Sequence, residues 1–214
     1  VLTIDYRVAP EHPYPAALED TIAAYHWLLE QGYPAEKIVV AGDSAGGGLA
    51  LALCLWLKNH KEPLPSGVIA MSPWTDLTIS GESVETNFEK DPLFGKTRDS
   101  MLYNKDYLGD NDPTNEYISP LFGDYEGFPP LLIQVGSYEM LLSDSTRVAK
   151  KAKEAGGKVK LSIYEGMFHV FQMAMLLMPE SKKAWAEIKR FLHYLDAEEK
   201  EENEMQNISK EEKA

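Results

Sequence analysis

The chain has 214 residues, 44% hydrophobic and 26% charged, a balance that supports a packed core and excludes a low-complexity or disordered polymer. Asp and Glu number 34 against 21 Lys and Arg, a formal net charge of -13, and a surface of that sign repels phosphate backbones and anionic lipid, so nucleic acid is not an expected partner. No apolar run approaches the roughly 20 residues of a membrane-spanning helix, and with Cys54 as the single cysteine neither an internal disulfide nor a cysteine-built metal cage is available.

Short apolar or β-branched runs alternate with longer amphipathic ones, the pattern of a parallel sheet with crossover helices. Residues 1–5 read as a first strand; they begin without Met or a lead-in, so the chain is expected to be cut from something longer. A missing leader then says nothing of compartment, and a cytoplasmic location is the working expectation. Residues 15–31 place Leu18, Ile22, Tyr25, Leu28 and Leu29 at helical spacing, with Pro15 near the start and Gly32 past the end. A strand at 37–41, a nearly all-apolar helix at 46–60 and a strand at Gly67–Met71 follow. Residues 80–127 are polar and turn-rich and carry Phe94, Met101, Tyr103 and Tyr107, a helical excursion placed to cover a site. Beyond it come a strand at 131–135, a helix at 143–155 closed by Gly156-Gly157, a strand at 158–164 and a helix at 181–195. From Asp196 onward eight acidic residues face three lysines, a tail expected to be frayed helix or disorder. One domain over 1–195 is the expected organisation.

The strongest chemical signal is Gly42-Asp43-Ser44-Ala45-Gly46-Gly47, lying between a strand and an apolar helix. A strand, a sharp turn and a helix make a nucleophile elbow, in which the serine backbone is strained so that its hydroxyl stands clear of the sheet. The bland alternative is a simple glycine turn between strand and helix. A dinucleotide-binding turn fails because the glycines do not fall in G-x-G-x-x-G order, and Gly95-Lys96-Thr97 fails as a phosphate loop because Lys90 stands where the first glycine belongs.

A serine hydroxyl is a poor nucleophile at neutral pH and needs a histidine base and an acid to orient it, in chain order serine, acid, histidine. Of five histidines, His12 precedes Pro13 in a loop, and His26, His60 and His193 fall on predicted helices. His169 alone follows the end of a predicted strand by a short loop, where Gly166 lets the ring swing over the sheet edge. Glu139, just past the strand at 131–135, is the preferred acid; Asp144 competes but also reads as an ordinary first-turn carboxylate. Trp74, Met167, Phe168, Phe94 and Tyr103 are candidate pocket walls, with plain packing as the alternative, and Cys54 is expected in the core.

Asp5-Tyr6-Arg7-Val8-Ala9-Pro10-Glu11 with Asp20, the elbow 42–47, Ser72-Pro73-Trp74-Thr75-Asp76-Leu77 and Gly166-Met167-Phe168-His169 resemble the bacterial hormone-sensitive-lipase family of α/β-hydrolase esterases, in the subgroup whose elbow reads Gly-Asp-Ser-Ala-Gly. The resemblance runs over nearly all of 1–195. It implies an α/β-hydrolase fold with a mainly parallel sheet and flanking helices, Ser44 as nucleophile, His169 as base and an acid where Glu139 stands. Many relatives have Asp-Pro-Leu there, against Glu139-Met140-Leu141 here. The family also places a His-Gly-Gly-Gly loop before the Tyr-Arg motif, whose backbone N–H groups form most of the oxyanion hole. Nothing like it stands ahead of Val1, which leaves the Ala45 N–H as donor and the strand leading into that loop absent from the sheet.

The expected function is therefore a serine carboxylesterase for short-chain acyl esters, needing no cofactor or metal, with a small-molecule ester as partner and a homodimer allowed. By itself the chain is expected to be neither well folded nor active. The rival readings are a non-catalytic ligand-binding protein on the same scaffold, a serine peptidase or amidase, and a gene fragment without function.

Overall fold

In the computed structural model, which describes residues 1–95 and 105–211, four strands form one parallel sheet in the order β1 (Val39–Asp43), β2 (Gly67–Met71), β3 (Leu131–Gly136), β4 (Val159–Tyr164). The inner strands β2 and β3 are mostly apolar and buried, as a parallel sheet covered by helices requires, with Gln134 as a buried polar exception, whereas β1 and β4 are only partly buried. Helices α1 (Ala16–Glu30), α2 (Ala45–Asn59), α3 (Ser83–Thr86), α4 (Lys105–Leu108), α5 (Leu142–Glu154) and α6 (Pro179–Glu211) connect and cover them.

Alternation along the strands sorts the core into two layers. Val68, Ala70, Leu131 and Ile133 pack on Leu51, Cys54 and Leu55 of α2 and Val148 and Ala152 of α5. Ile69 and Leu132 face Ile188, Phe191 and Leu195 of α6, while α1 lies on α2 through Tyr25, Leu53 and Leu57. Leu51, Leu55 and Leu57 have no exposed surface, and truncating a leucine in such a setting to alanine costs about 2–5 kcal/mol.

The expected strand at 1–5 is a correction. These residues belong to no ladder, and Val1 and Leu2 are exposed. Apolar, β-branched character only makes a strand available; pairing needs a neighbour, and residues 2–4 lie across a groove of about 610 Å³ from the outer edge of β1. The segment is instead fastened to α1, with the Arg7 guanidinium and backbone N–H donating to Asp20 at 2.8–3.0 Å. Of the two alternatives for the acidic tail, the described backbone is helical as far as Glu211, continuing α6. Among the described residues no helix is long and apolar enough to cross a membrane.

Because all four strands run the same way, their C-terminal ends meet at one rim, the place where open α/β sheets collect ligands and reacting groups.

Candidate active site

Ser44 follows β1 and holds φ 53° and ψ -123°, a conformation rarely adopted by a residue with a side chain. The turn is fixed from both sides: Ser44 N–H donates to the Met71 carbonyl at 2.9 Å, and the Ser44 carbonyl accepts from Trp74 N–H at 2.9 Å and Gly48 N–H at 3.1 Å. It also requires Gly42, since a Cβ there would overlap the Gly46 carbonyl. Strain of this kind persists only when the surroundings over-determine it, and it presents Oγ at the rim.

His169 arrives from the end of β4, nine-tenths buried, with Nε2 2.8 Å from Ser44 Oγ and Nδ1 2.9 Å from Glu139 Oε2. Glu139, after β3, is fully buried, and its Oε1 accepts from Ser72 Oγ at 2.7 Å and Gly136 N–H at 2.5 Å. A carboxylate only accepts, so Nδ1 of His169 donates and Nε2 is left as the acceptor facing the serine hydroxyl. The arrangement thus provides a hydroxyl, a base aimed at its proton and a carboxylate that fixes the tautomer.

The loops bearing the acid and the base are laced together. Ser137 N–H donates to the Tyr164 carbonyl at 2.9 Å, Tyr138 N–H to the Met167 carbonyl at 3.1 Å, and Gly166 N–H to Ser137 Oγ at 2.8 Å. A Cβ on Gly136 would overlap the Met167 carbonyl, so glycine is what permits this approach. Met167 and Phe168, expected as pocket walls, do not line the cavity described below: the Met167 backbone closes one loop on the other. The excursion after β2 is tied to the same place. Asn87 Nδ2 donates to the Ser137 and Glu139 carbonyls, and Asp91 accepts from Met140 N–H through one oxygen and from Leu93 and Phe94 N–H through the other. Phe94 therefore rests against His169, ring centroids 4.6 Å apart. Tyr103 and Met101 lie outside the described residues.

Asp144 is elsewhere. Its carboxylate accepts from Thr75 N–H at 2.7 Å and Asp76 N–H at 2.9 Å. Burial pushes its carboxyl up to about 7, and the neighbouring Asp76 charge adds to this while the N–H donors oppose it. Burial works upward on Asp76 too, but bonds from Ser80, Thr78 and Arg147 outweigh it and hold this carboxyl below its usual range. Two of the other histidines are spent locally: His26 meets Glu62, and His60 stacks on Trp56 at 3.8 Å.

Beside the elbow, a cavity of about 230 Å³ is lined by Tyr6, Val8, Ala45, Leu49, Trp74 and Tyr107, among others, so Trp74 does face it. Ala45 is the first residue of α2, among the N–H groups a helix leaves without an intrahelical partner. Ser72, Asn87 and Asp91 were missed by sequence reasoning as parts of the site. Ser72 alone had a signal, its place in the Ser-Pro-Trp motif right after a strand.

A serine, a histidine and a carboxylate bonded in series at the rim of a parallel sheet, with the serine on a strained strand-to-helix turn, is the arrangement of a hydrolase fold. Residues 1–173 match the family described as alpha/beta hydrolase fold, and the chain belongs to that family, on its bacterial hormone-sensitive-lipase branch. An esterase of Acinetobacter venetianus is 45% identical over 197 residues, covering 92% of this chain and 65% of that protein. An acetyl-hydrolase of Streptomyces hygroscopicus is 42% identical over 86% of this chain and 61% of its own length. A crystal structure of an esterase from the bacterial hormone-sensitive lipase family is 44% identical with a TM-score of 0.85, over 89% of this chain and 64% of that one. The chain thus spans less than two thirds of these relatives.

Proposed function

We propose that this chain carries the catalytic centre of a carboxylic ester hydrolase acting on short-chain acyl esters. The observation that carries the reading is the unbroken series Ser44 Oγ, His169 Nε2, His169 Nδ1, Glu139 Oε2, with both links inside 3 Å. Ser44 Oγ attacks the ester carbonyl carbon as His169 Nε2 takes its proton. The negative charge that develops on the carbonyl oxygen is met by the Ala45 N–H at the start of α2, and the imidazolium by the buried Glu139 carboxylate. Collapse of the tetrahedral intermediate breaks the bond to the alcohol oxygen, which leaves with the proton from Nε2. Water, activated by the same nitrogen, then hydrolyses the acyl-Ser44 ester and restores the hydroxyl.

Oxyanion sites of this kind use more than one donor, and removal of one costs about 10²–10³-fold in rate, so the assay belongs to the complete protein. The short acyl preference is supported by the small, largely apolar cavity at Ala45 and by the acetyl-hydrolase among the relatives. In the complete protein, Ser44→Ala is expected to abolish p-nitrophenyl butyrate hydrolysis and covalent labelling by an organophosphate. Labelling that persists on another serine overturns the assignment. Matched ester and amide substrates separate this activity from a peptidase or amidase on the same scaffold.

A further inference from the structure

Each strand of the sheet is followed within five residues by a polar side chain at the rim, and three of these four, Ser44, Glu139 and His169, belong to the series above. The fourth is Ser72, one residue past β2 and fully buried. We propose that Ser72 is a positioning residue of the triad: its hydroxyl holds the Glu139 carboxylate and the backbone behind His169 in one arrangement, so that Oε2 alone is presented to the imidazole. The inference rests on the triad reading above.

A hydroxyl has one proton and two lone pairs. Against a carboxylate oxygen, which only accepts, Ser72 Oγ must donate, and it does so to Glu139 Oε1 at 2.7 Å. Its lone pair is then free for the Val170 N–H, which donates to it at 3.1 Å. One side chain therefore touches both moving parts of the triad, the acid itself and the residue next to the base. With Gly136 N–H as second donor to Oε1, turning the carboxylate about its terminal bond would break two hydrogen bonds at once.

The backbone carries the same message. Ser72 sits at φ 48° and Val170 at φ 53°, and a left-handed β-branched residue such as Val170 is a genuine outlier. Two strained positions meet at a single hydroxyl, and strain is retained where surrounding bonds enforce it. The Ser72 backbone is anchored separately, its N–H donating to the Gln134 carbonyl at 2.7 Å. Glycine would relieve the strain at Ser72 and leave that anchor intact. The hydroxyl and the fold are therefore experimentally separable.

The test uses the complete protein, with Ser44→Ala as reference and Ser72→Gly, Ser72→Ala and Ser72→Thr as variants. Ser72→Gly is expected to move Tm by only a few degrees, relief of the strain offsetting part of the lost hydrogen bonds, while kcat falls about 10- to 100-fold with KM nearly unchanged, the range for losing a hydrogen bond to a charged group. Ser72→Thr restores a hydroxyl at a backbone position that disfavours it, so it is expected to melt lower than Ser72→Gly yet turn over faster. The deshielded Nδ1 proton of His169 in the NMR spectrum is expected to shift or broaden in Ser72→Gly and Ser72→Ala. Wild-type kcat in Ser72→Gly, kcat that follows Tm across the set, or an Nδ1 resonance unchanged in Ser72→Gly overturns the inference. Hydrolysis surviving in Ser44→Ala overturns the triad reading and this inference with it, whereas an inactive Ser44→Ala beside a fully active Ser72→Gly overturns this inference alone.

Discussion

Glu139→Gln replaces one carboxylate oxygen by an amide nitrogen, and the three donors around the carboxylate decide which one. At the Oε1 position the nitrogen would point its hydrogens at the Gly136 N–H and the Ser72 hydroxyl, and the backbone N–H has no way to accept. The nitrogen therefore takes the Oε2 position, facing Nδ1 of His169. There it can only donate, which makes Nδ1 an acceptor and puts the imidazole proton on Nε2, against Ser44 Oγ. A base protonated on the wrong nitrogen cannot take the serine proton. Loss of one charge-assisted hydrogen bond alone would cost about 10- to 100-fold, but the wrong tautomer costs about 10⁴-fold in kcat, or about 5 kcal/mol of transition-state stabilisation. KM stays nearly constant, because ground-state binding involves neither group. Glutamine fills the same volume, so Tm moves by only a few degrees, about what 1 kcal/mol gives in a chain of this size. Initial rates of p-nitrophenyl butyrate hydrolysis in the complete protein, set beside a thermal melt, measure all three. A fall in kcat of only tenfold would refute the tautomer argument, and an unchanged kcat would remove Glu139 from the site.

Asp144→Asn tests the competing carboxylate. With its carboxyl raised to about 7, Asp144 keeps its proton in the folded state after the unfolded chain has released it, so stability falls as pH rises from about 4 to 7. The asparagine variant is expected to flatten that fall in denaturation midpoints measured across the range and to keep kcat within about tenfold; a larger rate loss than in Glu139→Gln would hand the acid role to Asp144. Gly42→Ala drives a Cβ into the Gly46 carbonyl, an overpacking worth about 1–3 kcal/mol, and is expected to lower Tm by several degrees and to displace Ser44. A circular-dichroism melt identical to wild type would contradict the close approach. Across p-nitrophenyl esters of rising acyl length, kcat/KM is expected to peak at short chains, and Trp74→Ala, which enlarges the cavity beside Ala45, to move the peak to longer ones. Efficient turnover of long-chain triglyceride, or a profile that Trp74→Ala leaves in place, would count against this pocket.

What the sequence discloses here is local pattern, and what it hides is meeting across distance. The runs at Gly67–Met71 and Leu131–Gly136 stand out because a strand buried on both faces is mostly apolar, Gln134 being the buried exception and held by hydrogen bonds to Ala184 and Glu187. Ser44 and His169 are legible because an elbow and a post-strand loop are short-range features. Residues 1–5 mislead because pairing depends on a neighbour and not on the run itself. The last helix is read short at Leu195, its last core contact among the described side chains, although Glu, Lys, Met and Gln beyond it are good helix formers that propagate the turn. Asn87 and Asp91 carry no pattern at all: their partners, Glu139 and Met140, lie about fifty residues away, and only the folded chain brings them together.

Among the described residues β1 has a ladder neighbour on one side only, with the groove beside residues 2–4 on the other. A row of unpaired N–H and C=O groups is a template for any extended chain that comes near, and proteins normally blunt such edges with lysine, proline or a bulge. From Val39 to Gly42 β1 has none of these, and its first charge is Asp43 at the far end. An extended segment laid along that margin would add one strand to the sheet through main-chain hydrogen bonds alone.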